Sequence, residues 1–160
     1  MEVASIVYQQ LSNCLEHLDA IQSSSFSVEP SSDSNKLLVY IYGEDNTIHK
    51  GGIYKSEFTF TKEYPSVRPE GKFIAPLPYH CNVRDNGDIC LDYYNNWNSN
   101  TYQTKNFVTL VESLCYFIHN QNKEHPWRKD IANEEKDNYN LYVQNVKNKA
   151  LECREAFIEG

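Results

Sequence analysis

The sequence predicts an α+β fold in which helices gather against one antiparallel sheet. Three observations carry this. Residues 53–61 alternate, with Tyr54, Phe58 and Phe60 on one side and Ile53, Lys55, Glu57 and Thr59 on the other; period two marks a strand with one buried face. Two other stretches repeat at three- and four-residue spacings: Val3, Val7, Leu11, Leu15 and Leu18, then Leu110, Val111, Leu114, Phe117 and Ile118. Such spacing puts each set on one face of a helix. The order is helix, strands, a long irregular segment, then helices, without the strand–helix alternation that a parallel sheet requires.

Taken in chain order, residues 3–20 form the first helix, ended by the serines at 23–25, and 31–35 make a polar turn. Residues 36–42 are β-branched and aromatic enough for a strand, with a turn at 43–46 before the alternating strand. Pro65 and Pro69 stop the ladder, since proline has no N–H to give. A short strand is expected at 72–75. From 76 to 102 no period appears, and Gly, Asn, Asp and Pro dominate; so long an irregular segment inside a compact domain is usually functional. Residues 107–119 form a central helix, 120–128 a polar loop, and 131–157 a helical stretch with one break expected near Asn133. Tyr139, Tyr142, Val143, Val146 and Ala150 supply its packing face. The 160 residues, 40% hydrophobic, suit one domain over 1–160.

The net charge of −7 and the absence of a strong Lys/Arg cluster argue against nucleic acid and against an anionic membrane surface. No stretch is long and apolar enough to span a bilayer, and the N-terminus lacks the pattern of a secretion signal. Cys14, Cys81, Cys90, Cys115 and Cys153 are odd in number and scattered. They read as free thiols in a reducing compartment, cytoplasmic or nuclear. No CxxC pair supports a metal site.

The informative segment runs Tyr79-His80-Cys81-Asn82-Val83-Arg84-Asp85-Asn86-Gly87-Asp88-Ile89-Cys90-Leu91-Asp92. Cys90, in a polar loop, offers a thiolate nucleophile; a lone cysteine is otherwise most often buried and structural. The Asn82 amide offers a donor for an oxyanion, or a turn residue bonded to its own loop. This segment resembles the active-site signature of the ubiquitin-conjugating family: His-Pro-Asn, seven residues with a late Gly, then Cys-Leu-Asp. Gly51-Gly52, Tyr64-Pro65, Pro69, Trp97, Pro126, Ile131 and Ala132 extend the resemblance over most of the chain.

The resemblance implies a fold of an N-terminal helix, a four-stranded antiparallel sheet, a central helix and C-terminal helices. It implies that Cys90 carries ubiquitin or a ubiquitin-like modifier as a thioester. The modifier comes from an activating enzyme and passes to a lysine of a protein substrate, usually with a ligase of RING or other type. No cofactor is implied, ATP being used by the activating enzyme. His80 is expected to brace the loop rather than act as a base. Asp92 and Glu124 would flank the cysteine and orient the lysine, or be solvated carboxylates. His125 stands where the family often has an acidic residue. Ser66, Val67, Trp97, Asn98 and Ser99 occupy the ligase-docking positions.

The chain also departs from the family. Cys81 replaces the proline between His and Asn, and is expected to be buried and inert. Residues 3–20 hold no Lys or Arg, whereas the family's first helix is basic where it meets the activating enzyme. Ser66 and Val67 stand where a Phe is common after Tyr-Pro, and Trp97-Asn98-Ser99-Asn100 replaces Trp-Ser-Pro-Ala. Two other functions compete: a non-catalytic scaffold that keeps the fold, and a Cys-His hydrolase pairing Cys90 with His80, His119 or His125.

Overall fold

The computed structural model describes residues 2–13, 25–98 and 105–160, with the backbone alone at 11–13. A helix α1 (Val3–Asn13) precedes four strands, β1 (Phe26–Pro30), β2 (Lys36–Tyr42), β3 (Ile53–Thr59) and β4 (Glu70–Phe73). They form one antiparallel meander in the order β1-β2-β3-β4. Register places Val28 opposite Val39, Ile41 opposite Tyr54 and Phe58 opposite Gly71. Among the described residues four helices follow: α2 (Asp92–Asn95), α3 (Phe107–His119), α4 (Lys129–Asp137) and α5 (Tyr139–Glu159).

Alternation decides which side is core. Val28, Leu37, Val39, Ile41, Tyr54 and Phe58 are all buried on one face, each burial contributing about 1.5–3 kcal/mol. The central helix α3 buries Leu110, Val111, Leu114, Phe117 and Ile118 in the same core. Its start is set by Asn106, whose side chain accepts from the Thr109 N–H at 2.8 Å, the usual role of an N-cap asparagine. Gly71 is required by close approach: a Cβ there would run into the Phe58 ring. A second apolar cluster joins Cys81 to Ile131, Ala132, Tyr142 and Val146, and so ties the irregular segment to α4 and α5.

The structure differs from the sequence reading in four places. Strand β1 carries only two inward apolar residues among Ser, Glu and Pro, too few to show a period. Strand β4 lies two residues earlier than expected, because Phe73, opposite Ser56, is its inward residue and Pro76 bars continuation. The last helical stretch breaks at Asn138, not near Asn133. Asn138 caps α5 by accepting from the Leu141 N–H at 3.4 Å. The expected irregular segment contains α2, a single turn held by buried Tyr93 and Tyr94. Leu15 and Leu18 of the first helical stripe lie outside the described residues.

Candidate active site

The loop before Cys90 is a pinned hairpin. Val83 and Ile89, both buried, form a bridge across it. Inside, the Arg84 N–H donates to Asp88 O at 3.0 Å and the Gly87 N–H to Arg84 O at 2.9 Å. Gly87 has φ +92, and a Cβ there would meet the Phe73 carbonyl oxygen, so the turn needs glycine. Phe73 N–H donates to Gly87 O at 2.9 Å, joining the hairpin to β4. At its exit the Cys90 N–H donates to Asn82 O at 2.9 Å. The seven residues between Asn82 and Cys90 thus bring the two back together. Arg84 stacks on Trp127 at 4.0 Å, and Arg128 reaches Asp85 at 2.7 Å.

His80 and Asn82 are buried and spent on structure. The Asn82 N–H donates to His80 Nδ1 at 3.0 Å, so Nε2–H of the neutral ring donates to Phe117 O at 2.7 Å. The ring stacks on Phe117 at 4.2 Å. Burial drives the imidazole down to about 4. Both nitrogens are thus committed to backbone, as a bracing residue requires. The Asn82 amide donates to Asn122 O at 3.1 Å and His125 O at 3.3 Å, and its Oδ1 accepts from the Asn122 N–H at 2.7 Å. It therefore clamps the 120–128 loop beside the hairpin.

Cys81 is fully buried. Burial pushes its thiol up to about 11, and the sulfur donates weakly towards Asn82 Oδ1 at 3.4 Å. Its N–H donates to Gln121 Oε1 at 2.9 Å, and the Gln121 amide donates to Glu135 on α4. Its carbonyl accepts from both Trp127 and Arg128 N–H at 2.9 Å. Cys115 and Cys153 are likewise pushed up by burial, each to about 12.

Cys90, like Cys115, is only partly buried, whereas Cys81 and Cys153 are buried. The Asn95 side-chain amide donates to its Sγ at 3.6 Å. No histidine side chain among the described residues hydrogen-bonds Cys90, and His119 is committed to Cys115 O and the Glu44 N–H. The hydrolase pairing thus lacks its base.

Residues 9–150 match the family model described as "Ubiquitin-conjugating enzyme". The chain belongs to the ubiquitin-conjugating enzyme family. It is 34% identical over 107 residues to ubiquitin-conjugating enzyme E2 2 of Mycosarcoma maydis, covering 67% of this chain and 56% of that one. The enzyme of the same name from Candida albicans is 33% identical over 125 residues, 78% of this chain and 68% of that one. The chain thus spans little more than half the length of the first of these relatives. The fold is that of the E2 domain of a Toxoplasma gondii ubiquitin conjugating enzyme, at TM-score 0.70 and 23% identity, covering 89% of this chain and 96% of that chain.

Within this ubiquitin-conjugating fold the other expected site residues fall in two groups. Asp92, two residues after Cys90, and Glu124, in the loop that Asn82 clamps, are exposed. Asp92 accepts from the Asn96 amide at 2.8 Å, and Glu124 N–H donates to Asn122 Oδ1 at 3.1 Å. His125 is exposed and meets Asn82 through its carbonyl, not its ring. At the docking positions Ser66, Val67 and Asn98 are exposed, whereas Trp97 is 1% exposed. Its Nε1–H donates to Pro65 O at 2.8 Å, so Trp97 joins the two docking loops from beneath and does not face a partner. Ser99 lies outside the described residues. Sequence reasoning missed Asn95, Gln121 and Asn122, which carry no motif and are recognised only by what they touch.

Proposed function

We propose that the chain carries ubiquitin or a ubiquitin-like protein as a thioester on Cys90, receiving it from an activating enzyme and passing it to a substrate lysine with a ligase. The observation that supports this best is the setting of Cys90: a partly exposed thiol at the exit of a pinned hairpin, where Cys81 and Cys153 are buried and Cys115, half-buried on α3, gives its thiol to Ser25 O. In the loading step the Cys90 thiolate attacks the activating enzyme's thioester carbon. A new C–S bond forms and the activating enzyme's thiolate leaves. In transfer a neutral lysine amine attacks the same carbon, the C–N bond forms, and Cys90 leaves as thiolate.

Asn82 belongs to this reading chiefly as the residue that fixes the 120–128 loop. Giving an N–H to an oxyanion requires release of a loop carbonyl, and the longer bond, to His125 O, is the one to yield. Asp92 and Glu124 are the exposed carboxylates that an incoming lysine would meet in this reading. The test is incubation with ATP, labelled modifiers and a panel of activating enzymes. A reductant-sensitive adduct is expected, stable to reductant in Cys90→Ser and missing in Cys90→Ala. Normal charging of Cys90→Ala would move the acceptor to another thiol. A folded protein that no activating enzyme charges would leave the scaffold reading.

A further inference from the structure

We propose that Asn95 is a catalytic residue of the transfer, its carboxamide stabilising negative charge on Cys90 Sγ. The inference rests on the reading of Cys90 as the thioester cysteine.

The amide nitrogen lies 3.6 Å from Sγ, within reach for a donor to sulfur. Among the described residues no Lys, Arg or His side chain pairs with Cys90, so the thiolate has no cationic partner of the kind that usually activates cysteine. The Asn82 amide is not placed on Sγ, because both its N–H groups meet loop carbonyls. Among the described residues the Asn95 carboxamide makes no other hydrogen bond, and it is exposed. The turn that carries it is held firmly. Asn95 N–H donates to Leu91 O at 2.8 Å, and the neighbouring Tyr94 is buried, accepting from the Gly71 N–H and lying under Arg68 at 4.0 Å. A donor on so anchored a turn keeps its aim.

The same atom carries charge in both half-reactions. In loading, Cys90 gives its proton to solvent, attacks as thiolate, and the activating enzyme's leaving thiolate takes a proton from solvent. In transfer, the C–S bond breaks with its electron pair returning to Sγ, while the amine's surplus proton passes to solvent. A neutral donor on Sγ increases the thiolate fraction and improves the leaving group. It costs a smaller amount of intrinsic nucleophilicity.

The experiment uses the uncharged protein with Cys14→Ser, and reads alkylation of Cys90 by iodoacetamide against pH. Asn95→Leu keeps the bulk and removes the donor; Asn95→Gln keeps a donor. Asn95→Leu is expected to react about threefold more slowly near pH 7 and no more slowly near pH 10.5, where loss of the donor leaves a more basic thiolate. Asn95→Gln should recover much of the difference. A merely structural role would slow the reaction at every pH and lower the melting temperature, which is expected to hold because the side chain is exposed. Single-round discharge of charged protein to free lysine should also slow severalfold in Asn95→Leu. Coincident pH profiles for wild type and Asn95→Leu overturn the inference and leave the carrier function standing. A wild-type chain that never charges removes the catalytic role together with the carrier reading, whatever the profiles.

Discussion

The backbone N–H of Cys81 donates to Oε1 of Gln121 at 2.9 Å, a bond that proline at the same position cannot make. Gln121 in turn holds Glu135, which also pairs with Lys123 at 2.8 Å. The departure from His-Pro-Asn is therefore matched by a partner in the 120–128 loop. Rigidity that proline would supply through φ is supplied instead by a hydrogen bond to α4's neighbourhood.

Restoring the family's proline is accordingly expected to weaken the protein. Cys81→Pro should cost about 1–3 kcal/mol, since Gln121 loses its donor in a partly buried place. Gln121→Ala should cost a similar amount, and Cys81→Pro on top of it much less. Urea unfolding of the two single variants and the double gives the coupling; simple additivity would show that the two residues act independently.

Asn82→Ala should leave charging of Cys90 largely intact and slow discharge to lysine by about 10²–10³. The loss of three hydrogen bonds to the 120–128 loop should also lower the melting temperature by several degrees. Discharge at the wild-type rate from a folded variant would confine Asn82 to clamping the loop.

Stability should fall on acidification, and the sign follows from two buried histidines. Burial drives His80 to about 4 and, with repulsion from His119 and His80 adding to it, His49 to about 3. Unfolded histidine, near 6.5, binds more protons than either between those values and 6.5. Their contribution is thus complete above about pH 6.5 and is lost as pH drops towards 4 and then 3, at up to about 1.4 kcal/mol per pH unit for each. Thermal melts from pH 7 down to 4 check this, and His49→Gln should flatten the acid limb. A melting temperature independent of pH across that window would contradict the neutral assignment.

Common RING-type ligases are expected to stimulate lysine discharge only weakly. Apolar anchors dominate such interfaces, and here Ser66 and Asn98 are exposed polar residues, with Val67 an exposed apolar side chain beside Ser66. A dedicated partner would read the 97–106 segment. Discharge assays with several RING domains decide it: strong stimulation by most would mean the polar substitutions do not matter.

What was legible in the sequence follows from periodicity. Strand β3 and helix α3 begin where the spacing puts them, because each buries a stripe of apolar residues, and β2 stands where its β-branched and aromatic residues put it. β1 and α2 were illegible for the opposite reason: one has two inward residues, the other is a single turn whose position is set by Tyr93 and Tyr94 meeting distant backbone. At the site, Cys90, Asn82 and His80 are marked by their order along the chain. Gln121 and Asn95 are ordinary polar residues whose roles arise only when the 120–128 loop and α2 fold against the signature.

The burial of Cys81 has a consequence for oxidation. A peroxide that reaches Cys90 would make a sulfenic acid, which ordinarily condenses with a nearby thiolate. The adjacent candidate is fully enclosed, its thiol pushed up to about 11 and engaged with Asn82 and Asn122. Cys81 is thus no resolving thiol for Cys90. Mass spectrometry after mild peroxide and glutathione treatment should find a mixed disulfide at Cys90 in preference to an internal bridge to Cys81.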